Sequence, residues 1–114
     1  MIKVLIVDDN EALRKLFCKL LQEFDVLEAS NGEEGVNIYK KHKPDIVIMD
    51  ILMPEMDGII ATREILKFDP KAKIAALTAY SSYTKEMLEA GAKEVMYKPI
   101  AKEKLIQSIK EHLS

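Results

Sequence analysis

Apolar and polar positions follow two rhythms along this chain. Short, nearly unbroken apolar runs recur at Val4-Leu5-Ile6-Val7, Val26-Leu27, Ile46-Val47-Ile48-Met49, Ile74-Ala75-Ala76-Leu77 and Val95-Met96-Tyr97. Runs this short and this apolar predict strands buried on both faces, as in a parallel sheet. Amphipathic stretches lie between them. In the first, Leu13, Leu16, Phe17, Leu20, Leu21 and Phe24 form one helical stripe, with Asn10 placed to cap it. Asn31-Gly32-Glu33-Glu34 reads as a capping box opening a second helix, with Val36 and Tyr39 facing inward and Lys40-Lys41 near its end. Gly35 inside that helix is a local fault of about 1 kcal/mol relative to Ala. A third helix is predicted over 58–67 after Asp57, a fourth over 82–90 ending at Gly91, and a fifth over 102–113. The fifth puts Leu105, Ile106, Ile109 and Leu113 on one face.

Strand and helix thus alternate from end to end with short connections. The pattern predicts one α/β domain over residues 1–114, with a parallel five-stranded sheet and helices on both sides. No linker, repeat or low-complexity segment interrupts it. The composition fits a globular protein, 48% hydrophobic and 32% charged. A net charge of −2 argues against nucleic-acid binding, and no apolar run nears the roughly 20 residues that span a bilayer. The N-terminus runs straight into the first strand without a basic-then-apolar leader. A lone Cys18 is expected to pack inside and suits a reducing cytosol, so a cytoplasmic location is expected.

Ligands of an open α/β sheet bind beyond the carboxyl ends of the strands, where the strand order reverses. The residues at those ends are Asp8-Asp9, Asp50, Thr78 and Lys98-Pro99. In a flavodoxin-like doubly wound (βα)5 fold of order 2-1-3-4-5, the first and third strands flank the switch point, so the three aspartates converge. Like charges at such range raise one another's pKa, and an oxygen-only cluster of this kind suits Mg2+. Lys98 supplies a compact positive charge able to pair with Asp50 and then with a phosphoryl oxygen, and Thr78 a hydroxyl donor. Cation, ammonium and hydroxyl together stabilise a transferring phosphoryl group, with Asp50 as the carboxylate nucleophile.

Val4-Leu5-Ile6-Val7-Asp8-Asp9-Asn10, Ile48-Met49-Asp50 through Met56-Asp57-Gly58, Leu77-Thr78-Ala79, and Gly91-Ala92 followed by Lys98-Pro99 resemble the motifs of response-regulator receiver domains over essentially the whole chain. The resemblance implies that Asp50 is phosphorylated from a phosphohistidine on a sensor histidine kinase or phosphotransferase. It implies Mg2+ held by Asp9, Asp50 and the Leu52 backbone carbonyl, with Asp8 mainly acting through water. It implies a cis Lys98–Pro99 peptide, and a phosphoacceptor that assists its own phosphorylation and dephosphorylation, not an enzyme. Output would pass by altered contacts with a downstream protein target, or by onward phosphotransfer, as in sporulation-relay and chemotaxis-type receivers. One departure stands out: the aromatic switch position three residues before the lysine is Val95, with Tyr97 two residues further on the same strand face. The side chains expected to flank the approach of a hydrolytic water are Leu52 and Tyr80, which predicts a long-lived phosphorylated form.

Two other readings share parts of the pattern. A flavin- or dinucleotide-binding protein would share the fold class, but the glycines make no G-x-G-x-x-G. A haloacid-dehalogenase-like phosphatase would use Asp8 as nucleophile and needs a late acidic pair, whereas Glu103 falls within a helix. His42 and His112 read as exposed helix-end residues.

Overall fold

The computed structural model describes all 114 residues, Met1–Ser114. Each predicted apolar run forms a strand and each amphipathic stretch a helix. The elements are β1 (Lys3–Val7), α1 (Glu11–Leu20), β2 (Asp25–Ala29), α2 (Gly32–His42), β3 (Ile46–Met49), α3 (Gly58–Phe68), β4 (Ile74–Thr78), α4 (Thr84–Ala90), β5 (Glu94–Tyr97) and α5 (Lys102–Leu113). The strands pair in parallel in the order β2-β1-β3-β4-β5, so the flavodoxin-like arrangement expected from the sequence is observed.

Alternate strand residues divide between two cores. Leu5, Val7, Val47, Met49 and Ala76 face Val36 and Tyr39 of α2, Ala61 and Ile65 of α3, and Met87 of α4. Val4, Ile6, Ile48, Ala75 and Leu77 face Phe17 of α1 and Leu105 and Ile109 of α5. The central strands are covered on both sides, which is why their sequences lack alternation. The outer strands differ from the expectation of two buried faces. β2 is largely half-buried and β5 ends in the exposed Tyr97, because an edge strand has a neighbour on one side only.

Caps stop and start the helices where the sequence places them. Asn10, Asn31 and Asp57 each accept the N–H three residues on, from Leu13, Glu34 and Ile60. The Glu34 carboxylate reaches back to Ser30 N–H at 3.2 Å, one residue beyond the N-cap N–H that a capping box would engage. Gly35 is explained by packing: a Cβ there would stand 3.0 Å from Val7 Cγ2, tighter than ordinary contact, so glycine lets α2 lie this close to β1 without Val7 shifting.

Four local expectations are corrected. The α1 stripe outruns its helix, which ends at Leu20; Leu21 and Phe24 are buried from the turn that follows, while Leu16 is 48% exposed. Residues 81–83 form a separate 3-10 turn before α4. Cys18 is half-buried, because it sits at the margin of the α1 stripe. His112 is partly covered and lies 2.9 Å from Glu94, whose carboxylate also accepts the Ser108 hydroxyl.

Candidate functional site

The carboxyl ends of β1, β3, β4 and β5 meet at one edge of the sheet. Asp8 continues β1 by one residue, its N–H donating to Ala29 O at 3.0 Å. Its carboxylate is 3% exposed and held at both oxygens: Asn10 N–H donates to Oδ1 at 2.9 Å and Lys98 Nζ to Oδ2 at 2.7 Å. Asp9, next in the chain, is exposed and its carboxylate makes no ion pair or hydrogen bond within the protein. Asp50 follows β3 and hydrogen-bonds from its N–H to Val7 O at 2.9 Å, which ties the end of β3 to the end of β1. Its Oδ1 accepts Ile51 N–H at 2.8 Å, and its Oδ2 lies 3.5 Å from Lys98 Nζ.

Ligand oxygens of Asp8, Asp9 and Asp50 lie within 4.8 Å of one another. Burial pushes the Asp50 carboxyl above its ordinary range, and the Asp8 charge adds to that push; Lys98 and the Ile51 N–H oppose it. Three carboxylates thus face one ammonium, leaving a surplus of negative charge on oxygen donors alone. That donor set fits a hard divalent cation of the Mg2+ class.

The backbone beneath Asp50 is equally constrained. A Cβ on Gly58 would stand 2.0 Å from the Asp50 carbonyl oxygen, so only glycine can start α3 against this loop. Gly58 N–H also donates to Ile51 O at 2.7 Å. Glu55, between them, takes a φ of 76°, a left-handed conformation that costs a non-glycine residue roughly 1–2 kcal/mol.

A cleft of about 340 Å³ opens over the cluster, lined by Asp8, Asp9, Asp50 and Lys98 with Asn10, Leu13, Leu52, Ala79 and Tyr80. Leu52 and Tyr80 stand at it with 37% and 51% exposure. Thr78 is fully buried, its Oγ1 accepting Tyr80 N–H at 3.2 Å, and does not line this cleft. Lys98 is nearer to Asp8 than to Asp50, the partner the sequence suggested. The Lys98–Pro99 peptide is cis, as expected.

A model of the response regulator receiver domain matches residues 4–110. This chain belongs to that family. Protein CcdB of Bacillus subtilis (strain 168) is 40% identical over 114 residues, covering 96% of this chain and 95% of CcdB. The chemotaxis protein CheY of Thermotoga maritima is 42% identical over 112 residues, covering 94% and 93%. Among solved structures, the response regulator protein TrrA of Thermotoga maritima in complex with Mg2+–BeF superposes with a TM-score of 0.92 at 36% identity, covering 99% of this chain and all of TrrA. The haloacid-dehalogenase reading is not favoured.

Within this receiver, Tyr97 is more than a half-exposed aromatic. It pairs in register with Thr78 on β4, and its hydroxyl bonds the Thr84 hydroxyl at the start of α4. Val95, on the same strand face, packs against the core beneath α2, α3 and α4. Sequence reasoning did not single out Arg14, whose Nη1 donates to the Asp8 carbonyl at 2.7 Å. Its partner Glu28 is 14 residues away on a neighbouring strand, so only the strand register could have pointed to it.

Proposed function

We propose that this receiver takes a phosphoryl group onto Asp50 from a phosphohistidine of a partner histidine kinase or phosphotransferase. The observation that carries the reading is the convergence of Asp8, Asp9 and Asp50 within 4.8 Å beside Lys98, with Asp50 only 7% exposed. In the transfer, a carboxylate oxygen of Asp50 attacks phosphorus as the P–N bond to imidazole breaks. The imidazole leaves with the bonding pair and takes a proton from solvent, and an acyl phosphate remains on Asp50. Because Oδ1 is engaged by Ile51 N–H, Oδ2 is the less constrained nucleophile. Asp9, Asp50 and the Leu52 carbonyl are the proposed Mg2+ ligands, with Asp8 acting mainly through water. The bound cation supplies positive charge to the non-bridging phosphoryl oxygens. Lys98 then exchanges carboxylate for phosphoryl oxygen, and Thr78 donates its hydroxyl once drawn toward the phosphoryl group.

The donor protein docks beside the cleft. Leu13, Leu16, Phe17 and Leu20 of α1 form a groove with Lys98, Pro99 and Ile100, and it shares Leu13 and Lys98 with the cleft wall. An apolar surface continuous with the nucleophile's cleft suits a protein that must present a phosphohistidine in line with Asp50. On this reading the domain is a phosphoacceptor that assists its own phosphorylation and dephosphorylation. Its output passes through protein contacts or onward transfer to another histidine.

Incubation with a phosphorylated histidine kinase and Mg2+ is the test. Wild type becomes labelled, whereas Asp50→Asn stays folded and unlabelled. Labelling of Asp50→Asn at the wild-type level would overturn the assignment.

A further inference from the structure

The carboxylates of the acidic cluster are held in different ways. Asp8 is fixed through its own side chain, by Asn10 N–H and Lys98 Nζ. Asp50 is fixed by Ile51 N–H and the strand behind it. Asp9 has no such bond, so its carboxylate is placed by the backbone that carries it. The Asp8 carbonyl and the Asp9 amide belong to one rigid peptide plane, so whatever holds that carbonyl oxygen aims Asp9.

Arg14 of α1 holds it. Its guanidinium makes two bonds from one plane: Nη1 donates to Asp8 O at 2.7 Å and Nε to Glu28 Oε1 at 3.1 Å. The side chain is 13% exposed, so both bonds are sheltered from water. Glu28 is a firm anchor, since it sits on β2 opposite Ile6 of β1 and its second oxygen receives Lys15 Nζ at 2.9 Å. Its carboxyl is held below the ordinary range, by Lys15 first and then by Cys18 and Arg14, so it stays ionised.

We propose that Arg14 is a positioning residue for cation binding: braced by Glu28, it grips the Asp8 carbonyl and so fixes the turn that presents Asp9 to the cluster. The role rests on the reading of the cluster as a Mg2+ site. It needs a planar fork spanning an edge strand and a loop, which a lysine cannot supply.

The test is Mg2+ titration of the full chain by backbone NMR, with amide order parameters of Asp9 and Asn10 measured before metal is added. Arg14→Met keeps much of the stem and loses the fork. It is expected to weaken Mg2+ roughly tenfold, the usual scale for a group that orients a ligand. The order parameters should fall from about 0.85 toward 0.6. Glu28→Gln should act in the same direction with a smaller effect, and serves if Arg14→Met does not fold. Lys15→Met removes the other cation on Glu28 without touching the turn, and should weaken Mg2+ far less than Arg14→Met does. Unchanged affinity and order in both the Arg14 and Glu28 variants would overturn the role, as would an equal loss in Lys15→Met. If wild type itself shows no Mg2+ shifts at Asp9, the functional reading fails and this role falls with it.

Discussion

Asp50 is costly to keep charged. Burial raises its folded-state pKa above the ordinary 3.8, with Asp8 contributing and Lys98 opposing. The native state therefore holds the Asp50 proton more tightly than the unfolded state does, and stability falls as pH rises through that window. In chelator, Asp50→Asn should melt above wild type at neutral pH, and its advantage should shrink as pH drops below the raised pKa. A constant difference at all pH values would contradict the electrostatic cause. Leu52 and Tyr80 are expected to act on the proposed phosphorylated form. Both line the cleft, leucine offers no hydrogen bond to a water, and tyrosine is bulky. Leu52→Asn should speed loss of phosphate from isolated protein by roughly tenfold, equivalent to about 1.4 kcal/mol of transition-state stabilisation. Equal decay rates would free position 52 of that role. At this scale Asp8, Asp9, Asp50 and Lys98 were legible because each lies at or just past the end of an apolar run: Asp8 and Asp50 directly follow buried strands, Asp9 comes one residue later, and Lys98 follows the partly exposed β5. The preference of Lys98 for Asp8 was not, since it rests on a difference between 2.7 and 3.5 Å that only packing sets. The Arg14–Glu28 brace was hidden for a similar reason, joining residues whose proximity is created by the β1–β2 register.

Among the elements, the central strands and the capped helices follow from local chemistry, and the edges do not. Apolar runs announce β1, β3 and β4, while β2 and β5 carry half-exposed residues that a buried-strand reading misjudges. The end of α1 was obscured because Leu21 and Phe24 continue its spacing after the helix has stopped. β5 and α5 are joined by a polar contact that no periodicity reveals, Glu94 receiving Ser108 and facing His112. The Ser108 hydroxyl, then His112, hold the Glu94 carboxyl below its ordinary 4.5. A depressed carboxylate stabilises the fold above its unfolded pKa, and that contribution is lost as pH falls through the folded value. Glu94→Gln should therefore lower the melting temperature at neutral pH and converge with wild type in acid. Urea melts across pH would show this, and a gap that widens toward acid would refute it.

For the whole molecule, the parallel order 2-1-3-4-5 brings the ends of β1 and β3 together and leaves the α1 groove beside them. Phosphotransfer should therefore be sensitive to the rim and indifferent to the C-terminal end of α2. Leu16→Asp, at an exposed position on the groove, should raise the KM for the phosphodonor protein by tenfold or more with little change in stability. Reversing Lys40 and Lys41 at the end of α2 should leave transfer unchanged, and a large loss there would relocate the docking surface. The topology was legible because strand ends, taken in chain order, carried matching chemistry; the groove was only partly so, since Leu16 and Leu20 read as core. The central claim is that the acyl phosphate forms on Asp50. Its most direct test is borohydride reduction of the freshly phosphorylated chain, which converts a phosphorylated aspartate to homoserine, followed by peptide mapping. Homoserine at position 50 alone is the predicted result; homoserine at position 8, or none after confirmed transfer, would contradict it.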